Sequence, residues 1–177
     1  MFKQFKPTWM IESIYDLTPA EIRRNKIKLV LTDLDNTLIA WNNPNGTAEL
    51  KEWLQRMQKA EIPVVVVSNN NEKRVKKAVE QLGLPFISRA MKPFKHGIKI
   101  AQKRYNVSPD EMVLVGDQLM TDVLAANRSH MRSILVRPIV ESDAWNTKIN
   151  RFMEAKIKKH LAKKENFEIK WGHSLDE

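Results

Sequence analysis

Asp33 and Asp35, two carboxylates one residue apart, follow the apolar run Ile27-Lys28-Leu29-Val30-Leu31-Thr32. Like charges this close repel, and a carboxylate partly removed from water needs a cation or a proton. A divalent metal resolves the conflict and leaves one Asp free to act as a nucleophile and the other as an acid/base. More polar groups follow other apolar runs: Ser68-Asn69-Asn70 after Val64-Val65-Val66-Val67, and Gly116-Asp117-Gln118 after Met112-Val113-Leu114-Val115, with Asp122 shortly beyond. Between them lies Arg89-Ala90-Met91-Lys92-Pro93, just ahead of a helical stretch.

The elements that must position these groups are legible. Thr18-Pro19-Ala20-Glu21 is a capping box with proline at the first helical position. Strands are expected at 27–33, 62–67, 85–88, 112–115 and 133–136, where β-branched runs are bounded by turn residues. Helices are expected from Thr47 to about Ala60, where Leu50, Trp53, Leu54 and Met57 recur at helical spacing, and at 71–82, 93–105 and 119–128. Residues 1–17 read as an irregular segment with exposed-looking apolar groups, and 143–165 as a long basic helix leading into the tail up to residue 177. Strands alternating with helices imply parallel βαβ units, hence an open three-layer, Rossmann-like α/β sheet over one domain, residues 1–177. In such sheets ligands bind beyond the carboxyl ends of the strands. Asp33, Asp35, Asp117, Ser68 and Lys92 therefore converge on one edge, the set needed for phosphoryl transfer through a metal-supported aspartyl phosphate.

The chain has 177 residues, 42% of them hydrophobic, which suits one well-cored domain. It has no cysteine, which excludes disulfides, thiolate zinc sites and a cysteine nucleophile. No apolar stretch approaches the ~20 residues that cross a bilayer, and no signal peptide is visible, so a cytoplasmic protein is expected. The net charge of +9 suits polyanionic company. His96, His130, His160 and His173 show no ligand spacing.

The site residues resemble the haloacid dehalogenase superfamily, in the same order along the chain. Asp33-Leu34-Asp35-Asn36-Thr37-Leu38 is similar to its first motif, Ser68 to its second, Lys92 to its third, and Gly116-Asp117-Gln118-Leu119-Met120-Thr121-Asp122 to its fourth. Ser68-Asn69-Asn70, Met91-Lys92-Pro93, Ala126-Asn127-Arg128 and Thr147…Asn150-Arg151 narrow the resemblance to the YqeG family of subfamily IIIA, over nearly the whole chain. That family is related to phosphatidylglycerophosphate phosphatases. Ser129-His130 departs from the pattern, standing where a glycine is expected near a helix end.

The resemblance implies a role for each residue. Asp33 would be the nucleophile, and Asp35 would protonate the leaving oxygen and then activate water. Mg²⁺ would be bound by Asp33, Asp117 and the main-chain carbonyl of Asp35, a hard-oxygen set. Asp122 would hold the metal's water shell or orient Lys92. Ser68 and the amides of Asn69 and Asn70 would grip phosphate oxygens. Lys92 would screen the nucleophile and the phosphate, and Asn36 and Thr37 would support the loop.

Many relatives carry a cap domain after the first motif or between the second and third. The intervals Asp35–Ser68 and Ser68–Lys92 are too short for one, so the site is expected to be open to a phosphate borne on something large. Phe2, Phe5, Trp9, Met10 and Ile11 beside Lys3 and Lys6 suit an anionic membrane interface, or else pack on the core. The basic helix likewise either packs on the sheet or meets an anionic surface. The leading expectation is a Mg²⁺-dependent phosphatase for phosphatidylglycerophosphate, cytoplasmic or peripheral on the inner membrane face. The alternatives are a soluble phosphatase for sugar or nucleotide phosphates, and a non-catalytic RNA- or ribosome-binding protein, against which the acid pair argues.

Overall fold

A computed structural model describes residues 2–43, 45–140 and 145–177, without the side chains of 145–149, Thr147 among them. Six strands form one parallel sheet: β1 (Trp9–Ile11), β2 (Leu29–Thr32), β3 (Val64–Val67), β4 (Phe86–Ile87), β5 (Met112–Gly116) and β6 (Arg132–Val136), in the order β1-β6-β5-β2-β3-β4. The helices are α1 (Pro19–Arg24), α2 (Ala48–Lys59), α3 (Glu72–Val79), α4 (His96–Tyr105), α5 (Leu124–Arg128) and α6 (Trp145–Glu165). Residues 143 and 144 of the expected last helix lie outside the described residues.

The expected three-layer architecture follows from strand alternation. Successive side chains point to opposite faces, and a parallel sheet is buried on both. Val30, Val64, Val66, Val113, Val115 and Ile134 pack under α1–α3 with Ile22, Leu50, Trp53 and Val75. Leu29, Leu31, Val65, Val67, Met112 and Leu114 pack on the other face with Ile98, Ala101, Ala125 and Ala126 of α4 and α5. A third cluster near the β6–β1 end joins Leu119, Val123 and Leu135 to Ile157 and Leu161 of α6. No subdomain interrupts the described chain between β2 and β5, so the site carries no cap there. No helix among the described residues is long and apolar enough to cross a membrane.

The N-terminal segment differs from expectation. Trp9–Ile11 is a sheet strand, with Trp9 opposite Ile134 and Ile11 opposite Val136, and short 3₁₀ turns flank it at Phe2–Phe5 and Ile14–Asp16. A three-residue strand has too little length to show a period, and its pairing partner lies at the far end of the chain. Ile11 and Ile14 are buried, while Phe2, Phe5 and Met10 pack on the α6 cluster. The C-terminal tail covers the edge of β1: Glu12 N donates to Gly172 O at 2.8 Å and Gly172 N to Met10 O at 3.3 Å.

Two helix starts also differ. The stretch expected to begin at Pro93 becomes helical only at His96, because residues 92–95 turn to carry Lys92 toward the site. The expected helix 119–128 opens as a π-turn over Leu119–Val123, in which Asp122 N and Val123 N both donate to Gln118 O at 3.0 and 3.2 Å. His130 takes the left-handed conformation (φ 58°) where the sequence lacks the expected glycine.

Candidate active site

β2 and β5 are neighbours in the sheet but their outgoing chains diverge, since β2 leads to α2 on one face and β5 to α5 on the other. Such a switch point is where an open α/β sheet forms a crevice. Asp33 leaves β2 there, with its N–H donating to Val115 O of β5 at 2.9 Å, and Asp117 leaves β5 beside it. A carboxylate oxygen from each of Asp33, Asp117 and Asp122 lies within 4.8 Å of the others.

Lys92 is the inner cation of this cluster. Its Nζ donates to Asp33 Oδ1 at 2.9 Å and to Asp122 Oδ1 at 2.6 Å, and the residue is only 6% exposed. Burial opposes its charge, but Asp122 and Asp33 outweigh burial and hold the ammonium above the usual lysine range. Asn69 fixes the backbone beneath it, accepting from Lys92 N at 2.7 Å and donating to Lys92 O at 2.8 Å.

Asp122 reaches the cluster because residue 116 is glycine. A Cβ at Gly116 would stand 2.2 Å from Asp122 Cγ. The π-turn aims the side chain there, and Gln118 N donates to Asp122 Oδ2 at 3.2 Å. Such turns inside helices recur at functional sites. Burial pushes Asp122 up to about 6, against the pull of Lys92 and with the repulsion of Asp33. Burial, Asp33 and Asp122 together raise Asp117 well above the usual carboxylate range. Thr37 Oγ1 donates to Asp117 Oδ1 at 2.9 Å, and Asn36 (φ 62°) turns the loop that brings Thr37 there.

Asp35 points away from the three-acid cluster. Asn70 Nδ2 donates to its Oδ2 at 2.7 Å and Arg74 to its Oδ1 at 2.6 Å. Burial raises its pKa, Arg74 opposes and Asp33 adds to the rise. Ser68 is buried at the end of β3 and its Oγ accepts from Asn70 N at 3.2 Å, while Asn71 caps α3. The structure thus brings Asp33, Asp117, Asp122 and Lys92 into contact, with Asp35 at the mouth and Ser68-Asn69 alongside.

Sequence reasoning missed Arg74, the side-chain roles of Asn69 and Asn70, and Gly116. Neither Asn70 nor Arg74 carries a local signal, because Asn70 lies before the cap of α3 and Arg74 reads as a surface arginine of that helix. Four carboxylates, Asp33, Asp35, Asp117 and Asp122, face two cations, Lys92 and Arg74. That deficit and the all-oxygen donor set fit a hard divalent cation. A cavity of about 870 Å³ lies at the opposite, amino edge between Lys28, Asp110 and Arg132 and includes none of these residues.

Residues 30–92 match the family model described as haloacid dehalogenase-like hydrolase, and residues 90–162 match one described as HAD-hydrolase-like. The chain is 41% identical over 169 residues to the Bacillus subtilis (strain 168) protein named "Probable phosphatase YqeG", covering 96% of this chain and 97% of that one. Two solved structures share the fold. One is an uncharacterized protein from Listeria monocytogenes serotype 4b (TM-score 0.54, 14% identity, 75% of this chain and 99% of that one). The other is the N-terminal part of a Bacteroides fragilis protein, containing a phosphatase domain and complexed with Mg (TM-score 0.51, 22% identity, 74% of this chain and 41% of that one).

Proposed function

Since the chain belongs to the YqeG family of haloacid dehalogenase-like phosphatases, we propose that it is a Mg²⁺-dependent phosphatase acting on phosphatidylglycerophosphate in an anionic membrane. A carboxylate oxygen of Asp33 attacks phosphorus, forming an acyl phosphate as the bond to the leaving oxygen breaks. Asp35 gives its proton to that oxygen, and its raised pKa suits the task. Asp35 then takes a proton from water, which attacks the same phosphorus and releases inorganic phosphate and free Asp33. Lys92, 2.9 Å from Asp33, offsets the charge on the nucleophile and the phosphoryl oxygens. Ser68 Oγ and the amides of Asn69 and Asn70 hold the phosphoryl group.

Mg²⁺, held by Asp33, Asp117 and the main-chain carbonyl of Asp35, would neutralise charge on the phosphate. Asp122, buried against Lys92 at 2.6 Å, then orients that lysine rather than meeting the ion directly.

The observation that carries the lipid reading is the surface around the site. The exposed large hydrophobic residues among those described are Trp41, Met91, Phe94, Ile139, Phe152 and Met153, each between 41% and 63% exposed. All belong to segments at the carboxyl edge. Trp41 follows β2, Met91 and Phe94 follow β4, and Ile139 follows β6 and donates its N–H to Asn36 O at 3.0 Å. Phe152 and Met153 immediately precede Glu154 on α6, which accepts from Met120 N at 2.7 Å in the turn after β5. Arg89, Lys95 and Arg137 are exposed in the same segments, Arg137 paired with Glu12 at 2.8 Å, and Arg74 is exposed on α3, paired with Asp35. Apolar side chains interleaved with cations suit an anionic lipid surface, where each basic residue contributes about 1 kcal/mol. This surface replaces Phe2, Phe5 and Met10, which pack on the core.

The test is phosphate release from phosphatidylglycerophosphate in anionic vesicles with Mg²⁺. The double variant Met91→Ser/Phe94→Ser is expected to lower the rate on vesicles relative to a short-chain soluble analogue. Efficient hydrolysis of soluble sugar or nucleotide phosphates with none of the lipid would refute the lipid reading.

A further inference from the structure

A cleft of about 500 Å³ opens from Asp35, between the loop after β2 and α3. Its walls include Lys73, Arg74 and Lys77 on one side and Ile39 and Trp41 on the other. The volume lies in the range that takes a small ligand. Asp35 is the only acid among the lining residues, and it is already paired with Arg74 at 2.6 Å. Lys73 and Lys77 stand four apart on α3, both exposed, and neither has an ion-pair partner among the described residues. Like charges at this spacing disfavour the helix that carries them, and an anion between them removes the conflict.

The direction of the cleft matters as much as its charge. Asp33, Asp117, Asp122 and Lys92 crowd the inner side of the site, and Asp35 stands at its mouth. The acid that protonates the leaving oxygen faces the leaving group, so the alcohol departs on the Asp35 side, into this cleft. We infer that the cleft is a second anion subsite that reads the leaving alcohol: it selects phosphomonoesters whose alcohol carries another phosphate, as a monoester or a diester. Lys73 and Lys77 hold that second phosphate, and Arg74 reaches from Asp35 into the cleft. Ile39 and Trp41 pack on the carbon chain between the two phosphates. The inference rests on the phosphatase roles of Asp33 and Asp35, but not on the alcohol being a lipid. A lipid headgroup diester and a free bisphosphate offer the same chemistry.

The experiment measures kcat/KM with Mg²⁺ on three esters: glycerol 3-phosphate, glycerol 1,3-bisphosphate, and phosphatidylglycerophosphate in mixed micelles. The wild type is expected to prefer at least one doubly anionic ester over glycerol 3-phosphate. In Lys73→Ala/Lys77→Ala that preference falls by about tenfold, the scale of two solvent-exposed ion pairs. In Lys73→Glu/Lys77→Glu it falls further. Both substitutions are at exposed helix positions, and unchanged melting curves would show that the fold is intact. A preference that survives both double variants overturns the inference, as does a wild type with no preference. If the bisphosphate shows the lysine-dependent preference and the lipid is not hydrolysed, the subsite stands and the lipid reading falls.

Discussion

Replacing Gly116 by alanine tests whether the inner site depends on the position of Asp122 and not merely on its presence. The new Cβ would lie 2.2 Å from Asp122 Cγ and 2.3 Å from its Oδ2. Ordinary carbon contacts are about 3.5–4.0 Å, so the carboxyl group must retreat by more than ~1 Å. Its bond to Lys92 is 2.6 Å long, and such a retreat stretches it beyond hydrogen-bonding reach. Overpacking alone costs about 1–3 kcal/mol. Breaking a buried ion pair costs about 3–5 kcal/mol when one partner is lost outright. Here both partners remain, so a total of about 2–5 kcal/mol is expected.

At ~2–4 °C per kcal/mol for a domain of this size, the melting temperature should fall by roughly 5–20 °C. Lys92 would lose one of two anchors and drift from Asp33, and a misplacement of ~1 Å can lower a rate by ~10²-fold. The assay is a circular-dichroism melt alongside phosphate release from p-nitrophenyl phosphate, with Asp122→Asn as the companion variant. A Gly116→Ala protein with wild-type melting temperature and kcat would refute the reasoning, because the structure leaves no room for the methyl group.

Lys92→Met leaves Asp33 and Asp122 facing each other without their shared cation, and should lower stability by about 3–5 kcal/mol in denaturant titrations without metal. The pH dependence of the metal-free protein should also be unusual for a protein rich in carboxylates. Asp122 is lifted to about 6 in the folded state, from about 3.9 in an unfolded chain, so the native state binds more protons between those values. Stability should therefore fall as pH rises from ~4 to ~6 and then level off, with Asp117 shifting in the same direction. Mg²⁺ held by Asp117 would compete with the proton on that carboxylate, so melts should show it stabilising more at pH ~7 than at pH ~5.

Most of the site could be read from the chain because strand exits mark themselves. A buried β-branched run ending in Asp, Ser or Gly-Asp places that residue at the carboxyl edge whatever the packing around it, and Asp33, Asp35, Ser68 and Asp117 all lie there. What was hidden depends on rotation about helices and on contacts distant in sequence. Arg74 reads as a surface arginine until α3 is docked with Asn71 as its cap, which turns Arg74 over Asp35. Gly116 reads as an ordinary strand-end glycine until the π-turn swings Asp122 back against it. The apolar N-terminus suggested exposed surface because its partners, β6 and the C-terminal tail, lie more than a hundred residues away. The hydrophobic residues that do remain exposed are scattered over the loops after β2, β4 and β6 and over α6, where no sequence pattern groups them.

The site is therefore divided between an inner and an outer half with different tolerances. Lys92, Asp122 and Gly116 are packed into the protein, and their geometry is set by a buried ion pair and by the absence of room for a Cβ at residue 116. Changes there should reduce stability and chemistry together, for every substrate alike. Asp35, Arg74, Lys73, Lys77 and Trp41 border an open cleft, and the long side chains among them are largely solvated. Changes to Lys73, Lys77 or Trp41 should leave the fold nearly untouched and alter which ester is chosen. With no cap between β2 and β5 among the described residues, selectivity under the proposed mechanism rests on the fixed surface around Asp35. In this chain that surface is α3, the loop after β2 and the apolar residues along the carboxyl edge.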